Sequence, residues 1–547
     1  MVHFFITDDV SVKKYVRDTF SNLPNTKVSE TELSNGSNII YNDQRASYIQ
    51  LNDAEVWGFG TFFNENGFHA SALESIRDLD DLLDLLRHRL RGHYVFVVSS
   101  KSGVRVIPDK IGLLNVFYSD SDKSYISTDP VTVSICASNT TPSEQEVKEF
   151  ILNESTVGDK TIFSGTKRLS FGEEVKLTDE NLSTGSVHTY SIDNLSFKDH
   201  ISRISNYFEQ IDTFDGSIAA DISAGFDTRT VAAIGHTTIE DLAGNTNPNP
   251  NDGGADETLS PKIADKPSLP LEVIGFEENY KGNDQYMIHG TTLGRDIIRS
   301  SQFPKRLEKK YDYFDFILGG YGGETLRAKY NDISIPEYYN ANQSEELFSD
   351  TEYEQKILSK INNYPDTYTN GQLMNLVYTI DRMRIWGGSL ITMSSMYGDV
   401  LHPFLDWYLI NPVFSLSPKQ LKNGKYQQKI IEHFAPSLKN FPINTTSQFD
   451  YQYEKIKKRL KNNIKKSDRL LTIAKKAHSL TGSTVDKQLH PVAESKGLDN
   501  IDENLFADLN IDINVLQNSE NVKKISRAHS ISAFQNYIEK ESVQANR

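Results

Sequence analysis

Residues whose types and spacing could bind a phosphate group lie within positions 217–235. Positions 217–222 (SIAADI) have the β-forming and small residues of a buried strand, and positions 229–234 (RTVAAI) predict a helix of small residues. The loop between them consists of Ser223, Ala224, Gly225, Phe226, Asp227 and Thr228. A strand, a short loop and a helix N-terminus favour an anion site, because backbone N–H groups converge there and hydroxyl side chains add donors. Asp227 would repel a bare phosphate, so we predict that it holds Mg²⁺ against the phosphates of a pyrophosphate group.

The loop 223–228 resembles the S-G-G-x-D-S/T signature of ATP pyrophosphatases, which cleave ATP between its α- and β-phosphates. It departs from that signature at Ala224, where the family usually has Gly. Alanine is tolerated there if φ is negative and is costly if the loop needs a positive φ. For six residues taken alone, an ordinary strand–turn–helix is the alternative interpretation.

A second glycine-rich segment covers 315–325 (DFILGGYGGET) and again follows a predicted strand. It resembles the L-S-G-E-G-S-D-E motif of the asparagine synthetase family, which faces the pyrophosphate loop across the ATP site. Gly320 and Gly322 match its glycines, which implies that they line the nucleotide site. Glu324 takes the position of the second metal-binding Asp. Tyr321 takes the position of a catalytic Glu in asparagine synthetases, where the related β-lactam synthetases have Tyr.

A third segment, 401–406 (LHPFLD), resembles the V-P-F-L-D motif of the same family. The three segments occur in the family's order, so we take the resemblance to be to the asparagine synthetase-like ligases. It implies ATP and Mg²⁺ as cofactors, with the loop 223–228 around the phosphates and with Asp227 and Glu324 as the metal ligands.

The resemblance to β-lactam synthetases implies that Tyr321 relays a proton with help from a carboxylate, because a tyrosine alone is a poor base. We predict Asp381 as its partner, since it opens the arginine-containing segment 381–387 expected near the site. In that segment, Arg382 and Arg384 either meet a phosphate or carboxylate or form structural ion pairs. Tyr321 could instead pack against the nucleotide without a chemical role.

The N-terminal part, 1–195, is predicted to be rich in β-structure. Strand-like runs lie at 48–51, 56–63, 93–98, 104–108 and 116–118. Segments 90–130 and 147–172 resemble the glutamine amidotransferase-like domain of asparagine synthetases and the exit from it. In working glutaminases of this type the nucleophile is a cysteine after the initiator methionine. Val2 stands there, so we expect no glutamine hydrolysis, and Cys136, in an apolar strand-like run, is expected to be a buried inert thiol.

The composition excludes several classes of protein. The formal net charge of −16 over 547 residues disfavours nonspecific binding to nucleic acid or to anionic membranes. A single cysteine allows neither an intrachain disulfide nor a cysteine-based metal site. The first residues lack a signal-peptide pattern, and no apolar run approaches transmembrane length, so we expect a cytoplasmic protein. The sequence does not indicate the oligomeric state.

These observations predict an α/β protein of two domains. Residues 1–195 are expected to form a degenerate Ntn-type glutamine amidotransferase-like αββα sandwich. Residues 196–547 are expected to form an adenine-nucleotide α-hydrolase-like, doubly wound parallel sheet, with a core at 212–445 and a helical extension at 446–547.

The resemblance implies an AMP-forming amide ligase. ATP-Mg would adenylate a small-molecule, sugar or peptide carboxylate, and ammonia or an amine would then capture the acyl group. The alternative is a nucleotide-binding homologue that has lost catalysis, because Ala224 and Tyr321 depart from the asparagine synthetase pattern. The family's nucleotide-site lysine is also missing at 444–446, where the sequence is NTT, and Lys425 and Lys429 are weak substitutes.

Overall fold

The computed structural model describes residues 3–23, 26–120, 123–138, 140–178, 181–188, 191–248, 255–275, 303–330, 333–339, 369–439, 441, 502–509 and 511, and scattered positions from 527 to 542. The sequence predictions for Val2, for 444–446 and for most of 446–547 lie outside the described residues.

The first part of the chain forms two antiparallel sheets. One has six strands in the order β11-β9-β10-β1-β3-β2, and the other has seven, in the order β13-β12-β8-β7-β5-β4 with β6 paired to β5. These strands are β1 Phe4–Thr7, β2 Val28–Glu32, β3 Asn38–Asn42, β4 Ala46–Gln50, β5 Ala54–Asn64, β6 Gly67–Phe68, β7 Arg91–Ser100, β8 Gly103–Pro108, β9 Phe117–Asp120, β10 Ser124–Ser127, β11 Lys167–Arg168, β12 Glu173–Leu177 and β13 Leu182–Ser186.

Side chains alternate between the two faces of each sheet, and this alternation builds the layers. Phe4 of β1 faces the opposite sheet, where its ring centroid lies 5.2 Å from that of Phe59. Its neighbour Phe5 belongs to a second buried cluster, which includes Val16 and Phe20 of the helix Lys13–Ser21. Helices therefore cover the outer faces of two sheets that pack on each other, which is the predicted αββα sandwich.

The second part of the chain forms a parallel sheet of five strands in the order β16-β15-β14-β17-β18. The strands are β14 Ile218–Asp221, β15 Ala243–Thr246, β16 Leu271–Val273, β17 Phe316–Leu318 and β18 Asp399–Leu401. From β14 the chain adds strands on one side, then returns and adds β17 and β18 on the other. This strand order is the predicted doubly wound arrangement.

The α-helices of the described residues surround the three sheets. They are α1 Lys13–Ser21, α2 Ala70–Leu73, α3 Leu79–Asp84, α4 Pro130–Cys136, α5 Glu144–Asn153, α6 Phe197–Ile211, α7 Phe226–Thr238, α8 Ala255–Asp265, α9 Phe303–Tyr311, α10 Ile335–Tyr338, α11 Asn370–Val377, α12 Gly388–Ser394, α13 Trp407–Ile410, α14 Pro418–Leu421, α15 Lys425–Phe434 and α16 Glu503–Asp508. Between α11 and α12 the chain continues as the π-helix Tyr378–Gly387. No helix in the described part of the chain is long and apolar enough to cross a membrane.

The five strand-like runs of the N-terminal part are confirmed, and Cys136 requires a correction. Cys136 ends α4 rather than lying in a strand, because Pro130 starts that helix and the Asp129 side chain accepts hydrogen bonds from the first-turn N–H groups of Val131 and Thr132. The thiol is buried, as expected, and burial raises its pKa well above the usual range, so it is inert.

Strand β18 connects the parallel sheet to the sandwich. The Thr61 hydroxyl on β5 donates to the Asp399 carboxylate at 2.9 Å and accepts from the Val400 N–H group at 3.0 Å. The N–H group of Gly92, on β7, donates to Oδ2 of Asp406 at 2.7 Å. Asp406 ends the 401–406 segment, so that motif serves the interface between the two parts of the chain.

Candidate functional site

Strand order brings the two glycine-containing segments together. Strands β14 and β17 are hydrogen-bonded neighbours in parallel register, with Ile218 opposite Phe316 and Ala220 opposite Leu318. The loop 223–228 follows the carboxyl end of β14, and the turn 319–323 follows the carboxyl end of β17. The strand order reverses between these two strands, which is where doubly wound sheets bind ligands.

The loop 223–228 is held by its own hydroxyl groups. The Ser223 and Thr228 hydroxyls lie 2.7 Å apart, and Ser223 Oγ accepts from the N–H group of Gly225 at 3.2 Å. Ala224 does not have a positive φ, so the backbone accommodates alanine at this position. Its N–H group donates to Asp256 at the start of α8, at 2.7 Å, and therefore does not point to a phosphate.

Helix α7 begins at Phe226, three residues earlier than the sequence predicted. Its N-cap is Gly225, which supplies no side-chain hydrogen bond to the first turn. The first N–H groups of a helix have no intrahelical acceptors, and the helix dipole makes this end positive. The first turn of α7 therefore has no side-chain cap, which is compatible with the anion site that the sequence analysis predicts for this loop.

The turn 319–323 touches the start of α7 so closely that only glycine fits. A Cβ atom on Gly320 would lie 2.5 Å from the backbone N of Thr228, and one on Gly323 would lie 2.4 Å from Oδ1 of Asp227. Gly322 has a φ of +86°, and a Cβ there would meet the Phe404 carbonyl oxygen at 2.3 Å. The missing side chains let all three sequence motifs meet in one place.

Asp227 and Glu324, the two predicted metal ligands, lie near each other around one guanidinium group. Arg327 Nη2 is 2.6 Å from Asp227 Oδ2 and 3.5 Å from Glu324 Oε1, and Gln427 Nε2 donates to Asp227 Oδ1 at 3.0 Å. Burial, and next the negative charge of Glu324, raise the pKa of Asp227 to about 6, against the opposing effect of Arg327.

Three polar residues of this cluster were not predicted. The Lys329 ammonium lies 3.9 Å from Glu324. Arg327 and Lys329 follow the glycine-rich segment closely in the sequence, and these two cations next to Glu324 were the sequence signal that could have predicted them. Gln427 reaches Asp227 from α15, which packs against α7. No local pattern marks Gln427. Of the two weak substitutes for the missing lysine, Lys425 starts α15, and the Lys429 ammonium lies over the Phe197 ring, 5.7 Å from its centroid.

The residues fit a magnesium ion that draws part of its coordination from phosphates. Within the described ranges, no group of three or more His, Cys, Asp or Glu side chains could hold a metal ion. Mg²⁺ commonly uses one or two carboxylates and completes its octahedron with water and substrate phosphates. Asp227 and Glu324 supply two carboxylates beside the uncapped start of α7, which suits that kind of site.

Tyr321 lies beside this cluster in an aromatic group. Its ring centroid is 4.7 Å from that of His402 and 5.9 Å from that of Trp386, and its N–H group donates to His402 Nδ1 at 3.2 Å. Burial, and next the charge of Lys310, lower the pKa of His402 to about 3, so this imidazole is neutral and serves packing. Among the described residues, the Tyr321 hydroxyl has no hydrogen-bond partner.

The predicted pairing of Tyr321 with Asp381 is wrong. The Asp381 carboxylate accepts from the Tyr339 hydroxyl at 2.6 Å and from the N–H group of Gly158 at 3.2 Å. The π-helix directs Asp381 toward the sandwich, so it serves the interface between the two parts of the chain.

The two arginines of the same segment have structural partners. Arg382 donates to the Ser155 hydroxyl at 2.6 Å and pairs with Glu154 at 3.4 Å, and Arg384 donates to the Leu169 carbonyl oxygen. The sequence allowed either contact with a phosphate or carboxylate or a structural role, and both arginines have the structural role.

Comparisons with known proteins found only distant similarity to solved structures. No protein-family model matches the chain, and no curated protein matches it. Among solved structures, it is similar to the glutamine phosphoribosylpyrophosphate amidotransferase from B. subtilis complexed with ADP and GMP. The identity is 11% over 44% of this chain and 51% of that one, with a TM-score of 0.16. A second similar structure is titled as the allosteric regulatory enzyme of purine biosynthesis, with 11% identity, coverage of 52% and 61%, and a TM-score of 0.20.

This chain thus spans about half to three fifths of those two proteins. TM-scores this low carry no conclusion about function. The strand orders and layers of the protein itself establish its fold class.

A separate cavity of about 140 Å³ lies between the sandwich and the 401–406 motif. Arg91, Lys110, Asp109 and Asp406 are among its lining residues, and none of the loop 223–228 lines it. Burial raises the pKa of Asp109 to about 7, although its carboxylate accepts three backbone hydrogen bonds. This cavity is distinct from the cluster around Asp227.

Asp381→Asn is expected to destabilise the protein by roughly 1–3 kcal/mol, because a buried carboxylate that holds two donors is replaced by an amide. Thermal unfolding measures the change. Tyr339→Phe removes one of the same hydrogen bonds, so the double variant should lose less stability than the sum of the single losses. Unchanged stability of Asp381→Asn would contradict the structural role.

Proposed function

We propose that this protein is an AMP-forming amide ligase, which activates a carboxylate with ATP and joins it to ammonia or an amine. The carrying observation is the meeting of Asp227, Glu324 and the uncapped start of α7 at the reversal point of the parallel sheet. A helix start that can bind an anion and a pair of carboxylates beside it suit a nucleoside triphosphate that binds together with a divalent cation.

In the proposed reaction, the first turn of α7 and the Ser223 and Thr228 hydroxyls bind the β- and γ-phosphates. Asp227 and Glu324 would hold Mg²⁺, and a bound ion would supply charge neutralisation for the departing pyrophosphate. A substrate carboxylate oxygen attacks the α-phosphorus, the bond to the β-phosphate bridging oxygen breaks, and an acyl-adenylate remains. The preorganised donors stabilise the charge that develops on pyrophosphate. An amine then displaces AMP and forms the amide.

The nitrogen source in this proposal is free ammonia or an amine rather than glutamine. Cys136 is the only cysteine in the sequence, and it is buried in α4 with a raised thiol pKa. A nucleophilic cysteine needs a lowered pKa and access to its substrate. Incubation of the purified protein with glutamine should release no glutamate above the buffer control.

Tyr321→Phe is expected to leave adenylation unchanged and to slow amide formation by roughly 10²-fold. The Tyr321 hydroxyl has no partner among the described residues, so it is available to position an incoming amine by a hydrogen bond, a role that does not need Asp381 as a relay partner. Pyrophosphate exchange measures the first step, and product formation with labelled amine measures the second. If both steps run at wild-type rates, the ring only packs against its neighbours.

The second candidate is a nucleotide-binding protein without catalysis. Two contacts favour it: the Ala224 N–H group is used by Asp256, and Arg327 occupies an oxygen of Asp227. An assay of ATP–pyrophosphate exchange across a panel of small-molecule, sugar and peptide carboxylates separates the candidates. The ligase requires exchange that depends on one class of acid. Binding of ATP without exchange for any acid would favour the second candidate.

A further inference from the structure

A single guanidinium group stands between the two carboxylates of the candidate site. Arg327 ends the short 3₁₀ helix Thr325–Arg327, which directly follows the glycine turn, and the next residue turns the chain with a φ of +43°. This geometry directs its Nη2 atom to Asp227 at 2.6 Å and toward Glu324 at 3.5 Å. The pair of carboxylates is therefore partly neutralised before any ligand arrives.

The Arg327 side chain and a metal ion compete for the same oxygen. Both oxygens of Asp227 are engaged, Oδ1 by Gln427 and Oδ2 by Arg327. Mg²⁺ binds oxygen at about 2.0–2.1 Å and tolerates little distortion of its octahedron. A carboxylate oxygen has two acceptor positions, so the opposition is electrostatic: Mg²⁺ at Oδ2 would place two positive charges against one oxygen, and they repel each other.

Arg327 keeps donors for another partner. Its Nε atom is buried and has no hydrogen-bond partner among the described residues, and the same holds for Oε1 of Gln427. A guanidinium carries five N–H donors in a planar fork that matches a phosphate group in a bidentate manner. Asp227 lies in the first turn of α7, so the guanidinium that pairs with it stands next to the start of that helix.

We propose that Arg327 couples metal binding to phosphate binding. This inference rests on the proposed nucleotide function. Without a polyphosphate, Arg327 pairs with Asp227 and keeps a divalent cation away. When phosphates bind at the start of α7, Arg327 moves to them and releases Asp227 as a metal ligand. Since coupling between two ligands is reciprocal, each of metal and polyphosphate then strengthens the binding of the other.

Mn²⁺ is a suitable probe, because electron paramagnetic resonance measures its free concentration directly. Titrations of the full chain with Mn²⁺, with and without inorganic pyrophosphate, give the coupling after subtraction of the Mn²⁺ that pyrophosphate binds in matched protein-free titrations. Wild-type protein should bind Mn²⁺ roughly tenfold or more tightly with pyrophosphate than without it. Arg327→Gln should bind Mn²⁺ roughly tenfold more tightly than wild type in the absence of pyrophosphate, because a charged hydrogen bond no longer blocks Asp227.

Lys329→Gln is the matched control. Its ammonium also faces Glu324, but at 3.9 Å and with nearly half of the side chain exposed, so its loss should change Mn²⁺ affinity far less. Arg327→Lys keeps the charge without the planar fork and should retain part of the block. Far-UV circular dichroism verifies the fold of each variant.

Equal Mn²⁺ affinity of wild type and Arg327→Gln without pyrophosphate would overturn the inference, and so would wild-type affinity that pyrophosphate does not change. These outcomes differ from a failure of the proposed function. That failure appears as wild-type protein that binds neither ATP nor pyrophosphate in calorimetry. Even if the protein binds neither ligand, the Mn²⁺ affinities of wild type and Arg327→Gln without pyrophosphate still show whether Arg327 opposes metal binding.

Discussion

Asp227→Asn is expected to lower ATP–pyrophosphate exchange by roughly 10²–10³-fold. The asparagine keeps the size of the side chain and can still accept from Gln427, but it cannot match a carboxylate as a ligand of Mg²⁺. The negative charge is also what Arg327 and the proposed metal both require at this position.

The same substitution should leave the fold intact. Burial and the charge of Glu324 raise the pKa of Asp227, which means that the folded state holds this carboxylate at an unfavourable position. Removing the charge should therefore keep or raise the melting temperature, as is common for residues of functional sites. Thermal unfolding and exchange measured on one preparation separate the two effects.

Asp18→Asn is the control for this prediction, because Asp18 is exposed on α1, in the sandwich rather than the parallel sheet. It should retain both wild-type exchange and wild-type stability. Exchange at the wild-type rate in Asp227→Asn, at matched Mg²⁺, would show that the loop 223–228 is only structural.

Gly320→Ala is expected to destabilise the protein by roughly 1–3 kcal/mol and to weaken ATP binding. The added Cβ would lie 2.5 Å from the Thr228 backbone N and 2.9 Å from the Asp227 carbonyl carbon. Both are backbone atoms, so no side chain can rotate away, and the turn and the start of α7 must separate. That separation moves the anion-binding N–H groups away from the second carboxylate.

Gly185→Ala provides the matched control, since a Cβ there meets no atom within 4 Å and Gly185 lies on β13 of the sandwich. It should be neutral or slightly stabilising, because alanine restricts the unfolded chain more than glycine does. Thermal unfolding and calorimetric titration with ATP measure both variants. Wild-type ATP affinity in a folded Gly320→Ala protein would mean that the two segments do not share one ligand.

The sequence determined the local elements and the residues capable of chemistry. The five strand-like runs of the sandwich follow from short runs of β-forming and apolar residues, and β14 with the loop 223–228 follows from a small-residue strand before a glycine. Asp227 was predicted from its place in a small-residue loop after a strand, and Glu324 from the resemblance of 315–325 to the asparagine synthetase motif. Such short-range patterns are read directly from residue order.

Tertiary structure decided which of these residues share a site. The sequence predicts that Tyr321 and Asp381 form one proton relay. In the structure, the π-helix places the Asp381 carboxylate where it accepts hydrogen bonds from Tyr339 and Gly158 instead. Cys136 was placed in a strand because its neighbours are apolar, whereas Pro130 and the Asp129 cap start a helix that is buried on all sides. An apolar run is compatible with either buried element, so only packing resolves it.

Tertiary structure also determines which polar side chains contact Asp227. Gln427 is 200 positions away along the chain and reaches Oδ1 only because α15 packs on α7. Arg327 is 100 positions away and reaches Oδ2 because β14 and β17 are adjacent. Periodicity and motif spacing describe neighbours along the chain, whereas hydrogen bonds and charge pairs depend on distance in space, so the sequence could name the carboxylates but not the groups that control them.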